Sequence, residues 1–448
     1  MTNIPGESPA VPASSPVIPQ ASAAVGELIT SEQSHEPTKV GSGYIWLLVL
    51  ANFGVFVAFI TPIAISLAIR IAALAPGNEE QYLAYTLGSG AAVVMLTAPL
   101  FGVLSDRTRT RWGRRRPFMF VAMFVGILSL FVMALAPSVL ILGAGWILAQ
   151  IGWGQVLQNL QTSMADKLPE SQRGKVAGLT GFATQIAPVF GVVIAGSFAG
   201  DPLLLFLLPG VFGVITVMLF VFLTKEADSR ALDFGGPLSI STVFRKYLYN
   251  PRQFPDFSWV WLSRFMFYFG LTLNTTFSAL FFASRLGVEV ADVAPVIATL
   301  SLFGIAATTL GAIGGGFLSD KLRRRRTFVM VGAVVFAIGA VTMAFGSDIP
   351  TLYAGSLITG VGIGVFAAVD QALMLDVLPQ KDTDAGRFMG IIGFAVSIPQ
   401  AVAPFIAPLI LGIGISATGD KNYTLLYIIA GVFTVLAGLI VLRVRAVR

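Results

Sequence analysis

Two oppositely charged residues lie inside long apolar stretches of the chain, where a charge is costly. At 1.5 Å per helical residue, Arg264 and Asp370 lie roughly 10 to 12 Å inside the ends of their stretches. An unpaired charge at that depth costs several kcal/mol, so we expect a mutual ion pair. Asp370 could bind a proton and so release Arg264. The alternatives are a static pair, or two side chains that extend separately to the interface.

A second group of polar residues, rich in amides, lies in the apolar stretch 138–165. Gln150, Gln158 and Gln161 fall within an arc of about 80° on a helix with 100° per residue. Amides and aromatic faces bind ligands that carry many hydroxyls, although a single amide can equally join two helices. The candidate ligand-binding residues are Gln150, Gln155, Gln158, Asn159 and Gln161, the tryptophans Trp146 and Trp153, and the isolated amides Asn52, Gln185, Asn274, Gln371 and Gln400.

The densest charge of the chain is a loop with six arginines in residues 106–116. So many charges cannot lie in hydrocarbon, so the apolar stretches on either side must end there. A shorter copy follows Gly316 and contains Asp320 and the arginines 323–326. We expect the acids of each copy to pair with its arginines, which can also reach Asp166 or Asp376. The alternative is that the arginines only fix the topology and contact anionic lipid.

The composition defines the class of protein that must position these groups. The chain has 448 residues, of which 55% are hydrophobic and 12% are charged, whereas soluble proteins have about 25% charged residues. It is a polytopic membrane protein, and its net charge of +6 reflects loop positions rather than nucleic-acid binding. There is no cysteine, and the single histidine, His35, lies in a polar tail. We therefore predict no metal site and no cofactor.

Twelve apolar stretches follow the tail, and each is long enough for the roughly 20 residues that cross a bilayer. We predict an all-α protein with a disordered tail over 1–41 and six-helix bundles over 42–224 and 257–448, joined by a polar linker over 225–256. The predicted spans are 44–70, 81–104, 117–136, 138–165, 174–198, 202–224, 257–284, 293–318, 327–346, 350–378, 387–414 and 423–443.

The basic residues predict the orientation in the membrane. Of the 29 lysines and arginines, 25 lie in the tail, in loops after even-numbered spans or at the C-terminus. By the positive-inside rule both termini are cytoplasmic, and we expect a plasma (inner) membrane protein. Arg70, Arg285 and Lys421 lie at the opposite ends of their spans.

The two halves repeat the same elements in the same order. Asp166 and Asp376 each precede a proline by three residues, and the glycine–basic pairs 174–175 and 386–387 follow. The halves should therefore be related by an axis along the membrane normal. The pattern Gly-x-x-x-Asp followed by basic residues, at 102–106 and 316–320, resembles the signature loop of the major facilitator superfamily. The loop 105–117 is similar to that of the glycoside–pentoside–hexuronide cation symporters, especially their sucrose–proton branch.

This resemblance implies alternating access, in which the two bundles rock around a cavity lined by helices 1, 4, 7 and 10. It also implies that the charged loops act as a cytoplasmic gate, whose network must break for inward opening. The chain departs from the sucrose carriers in helix 4. Those carriers have an acidic residue partway along this helix, and the matching position here lies near Gln150, which is an amide. The candidate gate residues are Gly102, Asp106, Arg107, Arg111, Gly113, Arg114, Asp166, Gly316, Asp320, Arg323, Asp376 and Arg387.

Taken together, these patterns predict a secondary active transporter and not an enzyme. The expected activity is uptake of a sugar or glycoside of disaccharide type, coupled to protons. The alternatives are an efflux carrier that exchanges protons for amphipathic compounds, and an uncoupled sugar facilitator. The expected partners are a small-molecule substrate and the lipid bilayer but no nucleic acid, and we expect the protein to work as a monomer.

Overall fold

A computed structural model describes residues 39–226, 228–230, 249–379, 385–414 and 421–445. Residues 1–38 of the predicted tail and 231–248 of the predicted linker lie outside this part of the chain. Side chains at 98, 99, 102, 103, 106, 170, 385 and 386 are not described either. The helices are α1 Ser42–Leu74, α2 Glu79–Asp106, α3 Arg116–Ala134, α4 Val139–Lys167, α5 Glu170–Ser197, α6 Pro202–Leu223, α7a Pro255–Thr276, α7b Ser278–Leu286, α8 Ala294–Leu322, α9 Arg325–Phe345, α10 Ile349–Val377, α11 Ala385–Leu411 and α12 Tyr423–Val441.

All regular elements within these ranges are helices, so the all-α prediction is confirmed. Among the described residues, ten helices are long and apolar enough to cross a membrane, and α7a with α7b makes an eleventh span. The remaining long helix, α2, has 28 residues and occupies the place of the predicted second span. The predicted boundaries agree with the helices to within a few residues.

The two ends of the bundle differ in charge and in how the helices terminate. We call the end with the loops after α2 and α8 the arginine end, and the other the acidic end. At the acidic end, Asp201 and Asp348 accept backbone N–H bonds and so cap α6 and α10. Arg70 and Arg285 donate to the carbonyls of Ala136 and Ala344, both at 2.8 Å. The acids and these two exceptional arginines therefore satisfy helix termini at this end.

Two spans depart from a straight α-helix, each for a local reason. In α1 the segment Pro62–Ser66 is a π-helical stretch, where the proline lacks the N–H that the ladder needs. Between α7a and α7b the axis bends by 48° at Phe277. The hydroxyls of Thr272, Thr275 and Thr276 bond to carbonyls four residues earlier, a pattern that bends helices.

Helices α1–α6 pack as one bundle and α7–α12 as a second, with the same pattern of neighbours. The pairs α1 with α5 and α6, α2 with α4, and α3 with α4 and α6 recur as α7a with α11 and α12, α8 with α10, and α9 with α10 and α12. Between the bundles, α2 packs on α11 and α5 on α8, which is again a symmetric set. The repeat predicted from the sequence is therefore present in the packing.

Glycines allow the closest approach of helices in the second bundle. A Cβ on Gly339 would lie 2.5 Å from the backbone nitrogen of Thr359, and one on Gly355 would lie 2.6 Å from Met343 Cγ. Glycines 311, 362 and 364 likewise lie against the backbone of a neighbouring helix. Because these glycines have no side chain, α8, α9 and α10 form a tight group beside the charged pair.

Candidate functional site

The structure brings Arg264 of α7a and Asp370 of α10 together, as the cost of burying each charge led us to expect. Arg264 Nη1 lies 3.3 Å from Asp370 Oδ2, and the two side chains are 13% and 2% exposed. Arg264 Nη2 also donates to Gln371 Oε1 at 3.4 Å. The guanidinium carbon lies 5.8 Å from the centre of the Tyr268 ring. Arg264 therefore has three neighbours that favour a cation, one of which is the buried carboxylate.

The surroundings of the two charges are unequal. In the described part of the chain, Asp370 Oδ1 accepts no hydrogen bond, so its charge depends on Arg264. Arg264 has Gln371 and Tyr268 as well, and Gln371 is exposed. A proton on Asp370 would remove the strongest contact and leave Arg264 with the amide and the ring.

A polar pocket lies in the second bundle between α7, α8 and α10, with a cavity volume of about 250 Å³. Asn274 is 7% exposed, and its Nδ2 has no hydrogen-bond partner among the described residues. None of the residues that line the pocket is charged. The polar side chains of the lining besides that of Tyr427 are Asn274, Thr275, Ser278, Ser301, Thr308, Ser356 and Thr359.

Sequence reasoning found only Asn274 among these pocket residues. Threonine and serine are common in membrane helices because their hydroxyls bond to their own backbone, as Thr275 and Thr359 do here. A hydroxyl that donates backward still has free lone pairs, so each can accept from a ligand hydroxyl. The sequence did contain one signal, which is the helical spacing of these hydroxyls. Ser301 and Thr308 lie two turns apart on one face of α8, and Ser356 and Thr359 lie one turn apart on one face of α10.

The predicted amide face of α4 divides into two parts in the structure. Gln161 is exposed and Gln158 is half-buried, while Gln150 is buried with its Cγ close to Gly90 of α2. The isolated amides also differ, since Gln185 and Gln400 are exposed, whereas Asn52 is buried and donates to the carbonyl of Leu48 at 2.8 Å.

Trp153 and Trp146 are not stacking surfaces for a ligand, and this prediction is wrong. Both side chains are fully buried inside the first bundle. Trp153 fills the space left by Gly126 of α3 and Gly213 of α6. Trp146 stacks on Phe59 of α1, with ring centres 5.7 Å apart. The large apolar area of each ring makes it core for helix packing.

Asn159 must also be removed from the ligand-binding set, whereas Gln155 stays a prediction because its Oε1 has no hydrogen-bond partner among the described residues. Ser105 Oγ of α2 donates to Asn159 Oδ1 at 2.5 Å, and Asn159 donates to the carbonyl of Gln155 at 2.8 Å. Gln155 is 4% exposed and lines an apolar cavity of about 310 Å³ between α2, α3 and α4. That cavity lies on the outer face of the first bundle, where Val121 is 62% exposed. Both amides therefore face α2 and α3.

The arginine loop of the first half forms an ion-pair network with α2 and α4. Arg114 Nη2 lies 2.8 Å from Asp166 Oδ2, and Arg115 Nε lies 3.4 Å from the same oxygen. Arg115 is 4% exposed and also donates to Ser105 Oγ at 3.1 Å. Through Ser105 the network continues to Asn159. These bonds fasten the loop to the ends of α2 and α4.

Glu226, just after α6, is a member of this network that sequence reasoning missed. Its carboxylate accepts from the backbone N–H groups of Arg114, Arg115 and Arg116 at 3.1 to 3.2 Å. It thus caps the N-terminus of α3, where an anion is favoured. Gly113 has φ +88, and a Cβ there would overlap the Glu226 side chain. The signal was a glycine three residues before a helix start, which indicates a turn made for an anion.

The second half repeats the network with fewer members. Arg325 lies 3.2 Å from Asp320 and 2.5 Å from Asp376. The site that corresponds to Asn159 is Val369, and in the described structure the buried Ser319 hydroxyl has no hydrogen-bond partner. Arg325, rather than the predicted Arg323, makes these contacts. Arg323 is exposed and adopts φ 52 at the end of α8.

The other predicted gate residues fall in several places. The side chain of Asp106 and residue Gly102 lie outside the described side chains. Arg107 is half-buried and Arg111 is exposed. Gly316 is half-buried, with Ala368 the nearest neighbour of a Cβ built there. The guanidinium of Arg387 lies 5.4 Å from the Phe388 ring.

The described ion pairs of each network join residues of a single bundle, and the cytoplasmic gate stays a prediction. Asp166 pairs with arginines of its own half, and Asp376 does the same in the second half. Contacts between the bundles lie instead at the acidic end, where Phe405 of α11 packs against Tyr85 and Gly88 of α2.

Comparison with known protein families identifies the family to which the two helical bundles belong. The sequence model of the Major Facilitator Superfamily matches residues 45–315 and 297–448, and the chain belongs to this family. It is therefore a multi-pass membrane transporter. The match with the sucrose–proton branch was not established by these comparisons.

Two relatives and one solved structure illustrate the range of similarity. An MFS-type transporter of the acurin A biosynthesis cluster from Aspergillus aculeatus is 24% identical over 445 residues, with 84% of this chain and 78% of the relative covered. Plastidic glucose transporter 4 of Arabidopsis thaliana is 35% identical over 77 residues, which is 17% of this chain and 14% of that protein. A mutant of the nucleoside transporter NupG shares the fold, with a TM-score of 0.70, 13% identity, and 90% of this chain and 99% of that chain covered.

Proposed function

We propose that the protein is a secondary carrier for a small neutral sugar or polyol and that it works by alternating access. The observation that carries this proposal is the polar pocket between α7, α8 and α10. It presents one amide and seven hydroxyls, with no charged residue in its lining. This chemistry suits a ligand that offers many hydroxyls and has no net charge.

The size of the pocket refines the expected substrate. Pockets for drug-sized ligands measure roughly 300–1,000 Å³, whereas this one measures about 250 Å³. A single sugar ring suits it better than the disaccharide expected from the sequence. Similarity to the glucose transporter of Arabidopsis thaliana over 77 residues supports a sugar substrate.

Coupling to protons is the second part of the proposal, with Asp370 as the proton-binding group. This part of the proposal is supported by the unequal contacts of the pair. The Asp370 carboxylate depends on Arg264, whereas Arg264 keeps its contacts with Gln371 and Tyr268 when Asp370 is protonated. The arginine end is cytoplasmic in this proposal, since 25 of the 29 basic residues lie at that end or in the tail. We further propose a plasma-membrane monomer, with one bundle over 42–224 and the other over 257–448.

One observation favours the alternative of an efflux carrier for amphipathic compounds. The cavity of about 310 Å³ between α2, α3 and α4 is lined almost wholly by apolar side chains. The polar side chains that line this cavity are Thr108 and Gln155, which are too few for a ligand with many hydroxyls. The polar pocket therefore carries the proposal, and an uncoupled sugar facilitator differs from it only in the role of Asp370.

Filling the polar pocket tests the proposed substrate site. Gly304 of α8 lines the pocket, and a Cβ built there meets no atom within 4 Å. Gly304→Leu should place its side chain in the cavity and weaken binding of a labelled monosaccharide at least about tenfold, because overpacking costs about 1–3 kcal/mol. Gly314→Leu is the matched control, since Gly314 lies on the same helix, also has free space and does not line the pocket. Equal binding by both variants would place the substrate elsewhere.

A further inference from the structure

A buried acidic residue, Glu80, joins the two bundles at the acidic end. It belongs to the first turn of α2, and its partners are the first residue of α12 and a residue just before that helix. Tyr423 Oη donates to Glu80 Oε1 at 2.8 Å, and Lys421 Nζ lies 3.9 Å from Glu80 Oε2. Glu80 is 8% exposed and Tyr423 is 4% exposed. These contacts cross between bundles, unlike the arginine networks.

The contacts of Glu80 depend on the relative position of the bundles. In the closed acidic end, the carboxylate has lost water and gained one hydroxyl and one ammonium group. Its Oε2 accepts no hydrogen bond among the described residues, so Tyr423 and Lys421 provide the compensation for burying the charge. If the bundles part at this end, water solvates the carboxylate and the contacts are lost. Their free energy therefore stabilises only the closed arrangement.

Apolar packing next to Glu80 shows that the surfaces fit closely here. A Cβ on Gly88 of α2 would lie 2.5 Å from the Phe405 ring of α11, and the Tyr85 and Phe405 rings are 6.0 Å apart. On the other side, a Cβ on Gly196 of α5 would lie 2.5 Å from Cβ of Ala294 of α8. The bundles therefore meet along both symmetric contacts, and Glu80 is the polar part of that closure.

We propose that Glu80, Tyr423 and Lys421 form a latch that holds the acidic end shut and so sets the balance between the two access states. The inference rests on the proposed alternating access, and it adds a positioning role for three residues outside the substrate site. The neighbouring Glu79 provides a contrast. Glu79 accepts from Gly77 N at 2.8 Å within its own turn, and among the described residues it makes no hydrogen bond or ion pair with the other bundle.

Distances between the bundles test the latch directly, because the chain has no cysteine and two spin labels can be placed at will. One pair reports on the acidic end, with labels at Gly200 and the exposed Val288, and a second on the arginine end, at Gly174 and Leu322. Double electron–electron resonance then gives the populations of short and long distances in the full chain in nanodiscs.

Tyr423→Phe should raise the ratio of long to short distances at the acidic end about tenfold or more, since a hydrogen bond to a charged group is lost. Glu80→Gln should raise the same ratio, since the amide gives up the charge that pairs with Lys421. Long distances at the arginine end should become rarer. Tyr423→Phe keeps the ring that packs on Phe281 with centres 5.8 Å apart, so it changes the hydroxyl alone. Glu79→Gln is the matched control and should leave both distributions unchanged.

Unchanged distances in Tyr423→Phe and Glu80→Gln would overturn the latch, and so would an equal shift in Glu79→Gln. The measurement needs no substrate, so it separates this inference from the proposed function. A protein that shifts its distances as expected but binds no sugar would refute the proposed function and leave the latch standing.

Discussion

Breaking the ion pair between Arg264 and Asp370 should have unequal effects on stability, depending on which partner is removed. Arg264→Gln leaves a carboxylate that is 1% exposed and has no other cation within reach among the described residues. Loss of one partner of a buried pair costs about 3–5 kcal/mol. Asp370→Asn should lower the free energy of unfolding by less. Arg264 keeps its contacts with the Gln371 amide and the Tyr268 ring, which stabilise the charge by roughly 1–2 kcal/mol.

The double variant Arg264→Gln, Asp370→Asn removes both charges and should recover part of the loss. We expect a coupling free energy of at least about 2 kcal/mol, which is within the range found for residues in contact. The deficit of Arg264→Gln should also shrink as the pH falls, since a protonated carboxyl carries no uncompensated charge. Each of these effects follows from the 3.3 Å separation and the burial of Asp370.

Equilibrium unfolding in mixed micelles measures the four members of this cycle, and the apparent Tm gives a second readout. Asp292→Asn is the control for loss of one acidic charge at an exposed position. If the losses of the two single variants add in the double variant to within about 0.5 kcal/mol, the two residues do not stabilise each other. That result would refute the argument that the cost of burying each charge is met by the other.

Further predictions concern the helix ends and loops. Gly113→Ala should destabilise the start of α3, because φ +88 and the position of Glu226 leave no room for a Cβ. Gly174→Ala is the control and should be neutral. Hydrogen exchange of residues 113–119 measures the difference, and equal protection in the two variants would contradict the prediction. Arg325→Gln should lower stability by about 1 kcal/mol because it loses Asp320 and Asp376, whereas Arg324→Gln should not; equal apparent Tm values would refute this. Arg285→Met should lower stability by about 1 kcal/mol, since it removes bonds to the Ala344 carbonyl and Thr424; an unchanged unfolding midpoint would disprove the capping role.

The charged pair and the helices were predictable because both follow from the cost of burying charge in an apolar medium. Only Arg264 and Asp370 lay well inside predicted spans rather than at their ends, so each was the available counterion for the other. The same rule gave the span boundaries, since charges must lie near the ends. Arg70 and Arg285 were exceptions to the charge pattern, and the structure explains them by the carbonyl groups that they satisfy.

The polar pocket and the Glu226 cap were not predictable, because each depends on the mutual position of several helices. The hydroxyl groups of the pocket come from α7, α8, α10 and α12, and each alone is ordinary in a membrane helix. Glu226 caps α3 through a turn that needs φ +88 at Gly113. The amides of α4 were misassigned for a related reason, since side chains on one helix can face either a cleft or a neighbouring helix, and Trp153 and Asn159 face neighbours.

Uptake of labelled monosaccharides into proteoliposomes, with and without an inward proton gradient, tests the central claim most directly. The account predicts that the proton gradient drives sugar accumulation in the wild type and that Asp370→Asn loses this accumulation. The variant should still exchange labelled for unlabelled sugar at equal concentrations on both sides of the membrane. It also predicts that Gly304→Leu abolishes both activities, whereas Gly314→Leu keeps them. If no sugar or polyol moves in wild-type proteoliposomes that pass the distance test for switching, the assignment of a sugar carrier is contradicted.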